Sequence, residues 1–577
     1  MEPPFPVEVS GCATSSEAKF RFASSWVLRD NHDQNARMIW TRICLLTPFK
    51  STASPIIRLL IVACLLCLNT GSHAQVVIAI GKNFTASTFG VDSFAVPPDP
   101  NGAVGPLHFA EFINGRFAVY NKSNAAKVAN MTDLAFWGQA GISIPSGWDV
   151  TDPRIVYDPV SQRWFASEVD FDPSGIINTN RFLLGISTTA DPTDAWKGVA
   201  IPSDPSGNNF ADFPTLGLDS QGVYLSGDMF DPNLNPLGPT LVSIPKAGLL
   251  ANPPVASGQT GFGLMSYDVR GQILEPVICL DASGQGTVLS VASIGFDTNF
   301  VTSTSLITFQ IQNITKPGQA TLTSATSLTV PPYTAPIDPT QPDLSSNLDD
   351  GDARFSAKVY EVGGVLYAVH GTEVNNLAAL RWYRIAASSQ TVLESGTISD
   401  PVMDLFYPSI GANAAGTVVI GYNGSSSKTF VSAFAIVGNT VNGKTTFQSP
   451  ILLKRGLSSY QNTDANGISR WGDYSATSVD PVDPNRFWTI QEFPSSGTAW
   501  STQVTELMTG FPILSFSASG NNTLLSWSGT LFSLQTTASL VNPSWITVSQ
   551  NLSTNNGVVT AQVPTTGGQG FFRLQAP

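Results

Sequence analysis

The stretch DPRIVYDPVSQRWFASEV, Asp152 to Val169, decides how this chain is read. A short apolar run, Ile155 to Tyr157, stops at Asp158-Pro159, and a second run opens at Trp164. Two brief β-branched and aromatic runs about a tight acidic turn predict a β-hairpin. The same phrase recurs along the chain. It reads DPNGAVGPLHFAEFI from Asp99, DFPTLGLDSQGVYLSGDMF from Asp212 and EPVICLDASGQGTVLSVASI from Glu275. It returns as ARFSAKVYEVGGVLYAVHG from Ala353, YPSIGANAAGTVVIGYNG from Tyr407 and DYSATSVDPVDPNRFWTIQEF from Asp473. The copies are spaced by about 50 to 80 residues, the size of one four-stranded unit with variable loops.

A third strand follows each hairpin: RFAVYNK, RFLLGIST, TLVSIPKA, SLITFQIQ, ALRWYRIA, FVSAFAIV and TQVTELM. Several copies offer a fourth, such as TLTSATSLTV or PILLKR. Helical periodicity is almost absent. One such sheet cannot bury both faces, but seven in a ring pack each on the next. The expected fold is therefore all-β, a seven-bladed β-propeller over residues 76–510. The last blade lacks a fourth strand before Gly510, and NFTASTFGVDSFAVP (residues 83–97) is positioned to supply it. That pairing would close the ring between its two ends and hide an edge strand.

Only 12% of residues are charged, while Gly (49) and Pro (40) are plentiful, a balance that suits a turn-rich β protein. Lys50 and Arg58 precede the apolar run Leu59 to Leu68, and Ser72-His73-Ala74 supplies the small residues of a signal-peptidase site. Residues 1–74 are expected to be a signal-peptide region, with Met38 the true start and cleavage after Ala74. The run is too short for a permanent span, and no later stretch is long and apolar enough to cross a membrane. Cleavage leaves Cys279 alone of five cysteines, so no internal disulfide is expected. It also leaves 22 Lys and Arg against 37 Asp and Glu, a net charge of −15. Such an acidic surface argues against nucleic acid as a partner.

After Phe511 the texture changes to compact alternating strands with Trp527, Trp545 and a closing Phe571-Phe572-Arg573-Leu574. Residues 511–577 read as a small β-sandwich. The pattern LSW…LQTT…W…V…FFRL resembles a C-terminal module common on secreted multidomain bacterial proteins, which implies surface attachment or sorting and no chemistry. The stretches DPNGAVGPLHFAEFINGRFAVYNK, DPRIVYDPVSQRWF and RWGDYSATSVDPVDPNRFWTIQEF resemble secreted bacterial propeller proteins of unassigned function. That likeness implies the fold and a bacterial, exported setting.

Two acidic series must be separated. Asp158, Asp219, Asp281 and Asp480, with Glu361, Asn413 and Gly105 in the other copies, close the leading strand and read as turn residues. Asp99, Asp152, Asp212, Glu275, Asp352 and Asp473 precede or open that strand. Innermost propeller strands begin at one mouth of the central channel, where ligands commonly sit. Arg154, Arg354 and Arg470 lie near the same strand starts, with Tyr407 in register. This set resembles the sialidase layout of an arginine cluster with a Tyr–Glu pair, although the Ser-x-Asp-x-Gly-x-Thr-Trp box of that family is absent. The ten residues are the candidate ligand-binding set. No resident cofactor is expected; the acidic loops GDMFDPNLNP and NLDDGDARF are the places a Ca²⁺ would sit, without EF-hand spacing. The expected role is a secreted or surface-associated binding module whose partner is an extracellular ligand, a polysaccharide or a protein. The competing reading is a carbohydrate-active enzyme, a glycoside hydrolase, lyase or sialidase-like protein, that uses the carboxylates and arginines of one mouth. A third is a structural envelope protein. An enzyme would gather Arg and paired carboxylates in one pocket, whereas a binder would show a broad polar or aromatic face.

Overall fold

A computed structural model describes residues 78–174, 179–205, 207–281, 284–292, 302–344, 347–463, 469–510, 514–519, 522–528, 532–555, 558–564 and 570–575. The expected signal region lies outside the described residues. Among those residues no helix is long and apolar enough to cross a membrane.

Residues 78–510 form seven antiparallel blades, and the propeller expectation holds. The innermost strands, in order, are Asn101–Val104, Asp149–Asp158, Phe210–Leu218, Gln272–Pro276 with Ile278–Cys279, Tyr360–Val362, Asp404–Ala412 and Ala476–Val479. All seven third strands fall where the sequence placed them, from Arg116–Asn121 to Ala499–Thr509. The fourth strand of the last blade comes from the start of the described chain. Ile78–Thr88 pairs antiparallel with Ala499–Thr509, from Ile78 opposite Thr509 to Thr88 opposite Ser501. It begins five residues earlier than the expected segment, and residues 89–97 turn away instead. Glu111 of the first blade fastens this closure, accepting from Ser87 Oγ at 2.7 Å, Tyr120 Oη at 3.0 Å and Thr502 Oγ1 at 2.5 Å.

The core lies between neighbouring blades, because each sheet presents one apolar face to the next. Phe112, Phe117, Trp137 and Trp164 pack between blades one and two, and Phe109 and Trp488 between blades one and seven. Phe109 stacks on Trp488 with ring centroids 5.8 Å apart. Trp137, Trp196, Trp382 and Trp471 are buried packing residues, while Trp148 is half-buried.

The turn carboxylates and their Asn equivalent act as pins between blades. Asp219 accepts from the backbone N–H groups of Gln221 and Gly222, from Tyr224 Oη, and from Gly286 N of the next blade at 2.9 Å. Asp158 pairs with Lys246 of blade three at 2.6 Å, and Asp480 with Lys122 of blade one at 2.6 Å. Asn413 reaches from blade six to the Pro484 carbonyl of blade seven at 2.7 Å. A short polar side chain is needed here because it must bond its own turn and still reach a neighbour.

Residues 514–575 form a separate unit of two antiparallel sheets. One sheet contains Ser515–Ser519, Asn522–Ser528, Val558–Pro564 and Leu552–Asn555; the other contains Ile546–Thr547, Ser533–Thr537 and Phe571–Gln575. Leu525, Trp527, Val559 and Ala561 of the first share an apolar cluster with Leu534, Phe572 and Leu574 of the second.

Candidate functional site at one mouth of the channel

The inner strands start with a repeated backbone irregularity. Asp99, Asp152, Phe213, Ile273 and Tyr407 all have φ between 44° and 62°. Few non-glycine residues adopt this region, and each costs of order 1–3 kcal/mol unless its surroundings hold it. Ladder pairing slips at the same places, between Thr151 and Arg154, Asp212 and Thr215, Gln272 and Glu275, and Phe406 and Ser409. Each is a β-bulge, a device that bends a strand and re-aims its side chains. Pro100, Pro153, Pro214 and Pro408 follow four of these residues and contribute no N–H to satisfy. The bulges turn the strand starts toward one shared pocket.

That pocket has a volume of about 180 Å³. Asp212, Phe213, Asp349, Asp350, Gly351, Asp352, Arg354, Ser356, Gly371, Tyr407, Pro408, Arg470 and Asp473 line it. The structure thus brings six of the ten candidates into one wall: Asp212, Asp352, Arg354, Tyr407, Arg470 and Asp473. Two more adjoin it. Asp99 accepts the Asp473 backbone N–H at 2.7 Å and the Asn114 side-chain amide at 2.8 Å. Asn114 in turn accepts the Asp152 N–H at 2.9 Å, so one amide holds both carboxylates in place.

The guanidinium groups are already engaged. Arg354 grips Asp352 through Nε at 2.7 Å and Nη2 at 2.6 Å, and stands 4.5 Å over the Phe213 ring. Arg470 lies between Asp349, at 3.4 Å, and Asp473, at 3.3 Å. Tyr407 donates to the Asp349 carbonyl at 3.0 Å, which ties the acidic loop to the sixth blade.

Crowding of carboxylates in a dry site favours their neutral forms. Burial, then the Asp473 and Asp152 charges, push Asp99 well above the ordinary carboxylate range. Burial, then Asp212 and Asp473, raise Asp152 to about 7. Burial also raises Asp212 and Asp473, against the pull of Arg354 on the first and of Arg470 and Arg354 on the second. The four carboxylates therefore share protons. For Asp99 and Asp152 the neighbouring carboxylates outweigh the pull of Arg470 and Arg154, whereas for Asp212 and Asp473 the arginines are the strongest charges opposing burial.

Arg154 and Glu275 are not at the mouth but form its floor. Arg154 is fully buried, donates to the carbonyls of Pro214 at 3.0 Å and Ser356 at 2.7 Å, and lies 3.6 Å from the Tyr474 ring centre. Glu275 is buried beside Arg154 and Lys358, and burial raises it to about 8 despite both cations. Burial, then the Arg154 charge, lower Lys358 to about 7. Lys358 donates to the carbonyls of Gly102, at 3.2 Å, and Ile155, joining blade five to blades one and two. The inner strands of blades three, four and five also pair parallel at their far ends, Leu218 with Ile278 and Ile278 with Tyr360.

Four contributors carry little or no signal in the sequence. Asn114 gave no signal, sitting in a hairpin turn. Lys358 was visible as a lone charge within the apolar ARFSAKVYEV, and Asp349 and Asp350 only as part of an acidic loop. The six acidic residues read as one ring do not share one register. Counted back from the turn residues, Asp99, Asp152 and Glu275 stand six positions before, Asp212 and Asp473 seven, and Asp352 nine. Among the described residues no group of three His, Cys, Asp or Glu side chains has an arrangement that could hold a metal ion. Asp231 of the GDMFDPNLNP loop accepts instead from Asn233 and Asn235. Both histidines among the described residues are structural: His108 lies 3.4 Å from Asp191, and His370 is buried against Tyr383.

No family model and no curated protein matches this chain. Solved structures similar to it include a protein of unknown function from Dyadobacter fermentans, at 13% identity and TM-score 0.31, covering 64% of this chain and 97% of that one. A thermostable family-43 glycoside hydrolase shares 11% identity at TM-score 0.28, covering 65% and 97%. A variant of the NanB sialidase from Streptococcus pneumoniae shares 8% at TM-score 0.28, covering 80% and 82%.

Proposed function

We propose that the protein is a carbohydrate-active enzyme that binds one sugar unit at the channel mouth and cleaves a glycosidic bond there. The observation that carries this reading is the gathering of carboxylates in unequal environments, with two arginines, in one small pocket. Glycosidic cleavage needs one carboxyl group that holds a proton and one that is ionised. Asp152, raised to about 7, supplies the acid, and Asp473, beside Arg470, the anion that activates water or attacks. The pocket is smaller than the roughly 300–1,000 Å³ typical of drug-sized ligands, so it suits a single terminal ring. Buried tryptophans leave the alternative of a broad aromatic binding face with little support. One observation favours binding without turnover: Asp352 and Asp473 are both held in ion pairs. Calorimetry with a panel of plant and bacterial polysaccharides tests the site. Binding by the wild type that vanishes in Asp473→Asn supports it, and binding that survives in Asp473→Asn refutes it.

The apolar run Leu59 to Leu68 and Ser72-His73-Ala74 support an exported, bacterial setting, where a polysaccharide is the natural substrate. Residues 511–577 are proposed to hold the enzyme at the cell surface, on their likeness to such modules.

A further inference from the structure

Carboxyl groups outnumber cations around the pocket. Its wall carries five carboxyl groups, Asp212, Asp349, Asp350, Asp352 and Asp473, against two guanidinium groups, Arg354 and Arg470. Both guanidiniums already face carboxylates, Arg354 in a bidentate pair. An incoming carboxylate would have to break one of these pairs before it found a positive partner. One acid faces no cation: burial, then the Asp338 and Asp349 charges, hold Asp350 well above the ordinary carboxylate range, against a backbone hydrogen bond from Tyr407. Asp350 is 4% exposed, and its Oδ2 makes no hydrogen bond. A buried acceptor left open is costly, and a donor that meets it recovers that cost. A charged donor recovers more, because hydrogen bonds between ionised groups are about twice as strong as neutral ones.

From this geometry we infer that the mouth selects a sugar unit carrying a protonated amine, with Asp350 receiving the ammonium group. The inference rests on the saccharide reading above and narrows it. A neutral sugar would satisfy hydroxyl contacts and leave the excess acid unpaired, whereas a uronic acid would add to it. The arginines thus serve to hold the wall carboxylates in place, and the anion-gripping role that a sialidase layout would give them does not arise.

The test is calorimetry of the full-length protein at pH 6 and low ionic strength with D-glucosamine, D-glucose and D-glucuronate. Glucosamine is expected to bind about tenfold tighter than glucose, the worth of one strong charged contact, and glucuronate more weakly than either. Asp350→Asn is expected to bring glucosamine and glucose to near-equal affinity. Should that variant not fold, Asp349→Asn, at a less buried position, provides a second reading: it removes one of the two carboxylates that Arg470 faces and should improve glucuronate binding several-fold. Glucose binding as tightly as glucosamine, or glucuronate binding best, overturns the amine selection and leaves the saccharide site standing. Failure of all three sugars to bind overturns both.

Discussion

At the scale of single residues, the account turns on carboxylates kept where they are uncomfortable. Asp152 is raised to about 7 by burial and by its acidic neighbours. Its folded pKa exceeds its unfolded one, so between pH 4 and pH 7 the folded state binds more protons. Stability then falls as pH rises across that window. Asp152→Asn should therefore raise the melting temperature by a few degrees at pH 8 and change it little at pH 4, as differential scanning calorimetry would show. Little of this was legible beforehand. The residues themselves were: Asp99, Asp152, Asp212 and Asp473 each open a repeat. Their mutual distances depend on bulges, and a bulge inserts a residue without leaving a pattern in apolar alternation. Asn114, which holds two of them, sits in an ordinary turn sequence.

At the scale of elements, the repeat was legible because each blade repeats one phrase, an apolar strand closed by Asp, Asn or Gly. The structure gives those turn residues a second task between blades. Asp219→Ala removes an acceptor for donors on two blades, three of them backbone groups. It should cost about 2–4 kcal/mol, within the usual range for breaking a buried network, read as a lower denaturant midpoint. The floor of the pocket is a harsher case. Arg154→Ala would leave the Pro214 and Ser356 carbonyls buried without their charged donor, and two such hydrogen bonds are worth about 3–5 kcal/mol. The same experiment should show that loss, and it should grow as pH rises above about 8, where Glu275 would ionise. Glu275 was read as a rim residue because EPVICLD opens like the other copies; the bulge at Ile273, two residues earlier, sends it inward instead.

At the scale of the whole molecule, ring closure by Ile78–Thr88 explains how seven sheets without disulfides make one stable body. Deleting residues 78–88 exposes the edge of Ala499–Thr509, and an open, apolar strand edge invites association. Size-exclusion chromatography of that deletion should show oligomers or aggregate where the intact chain runs as a defined species. The closed ring in turn makes the strain at the mouth affordable, since seven inter-blade cores hold five left-handed residues and a cluster of crowded acids. Such sites trade stability for activity. The most direct test is to assay Asp152→Asn beside the wild type for new reducing ends released from the polysaccharide panel. The account predicts a variant that melts higher at pH 8 yet has lost at least about 100-fold in rate, the usual worth of a positioned general acid. Equal rates in the two proteins, or no release by the wild type from any polysaccharide, would contradict it.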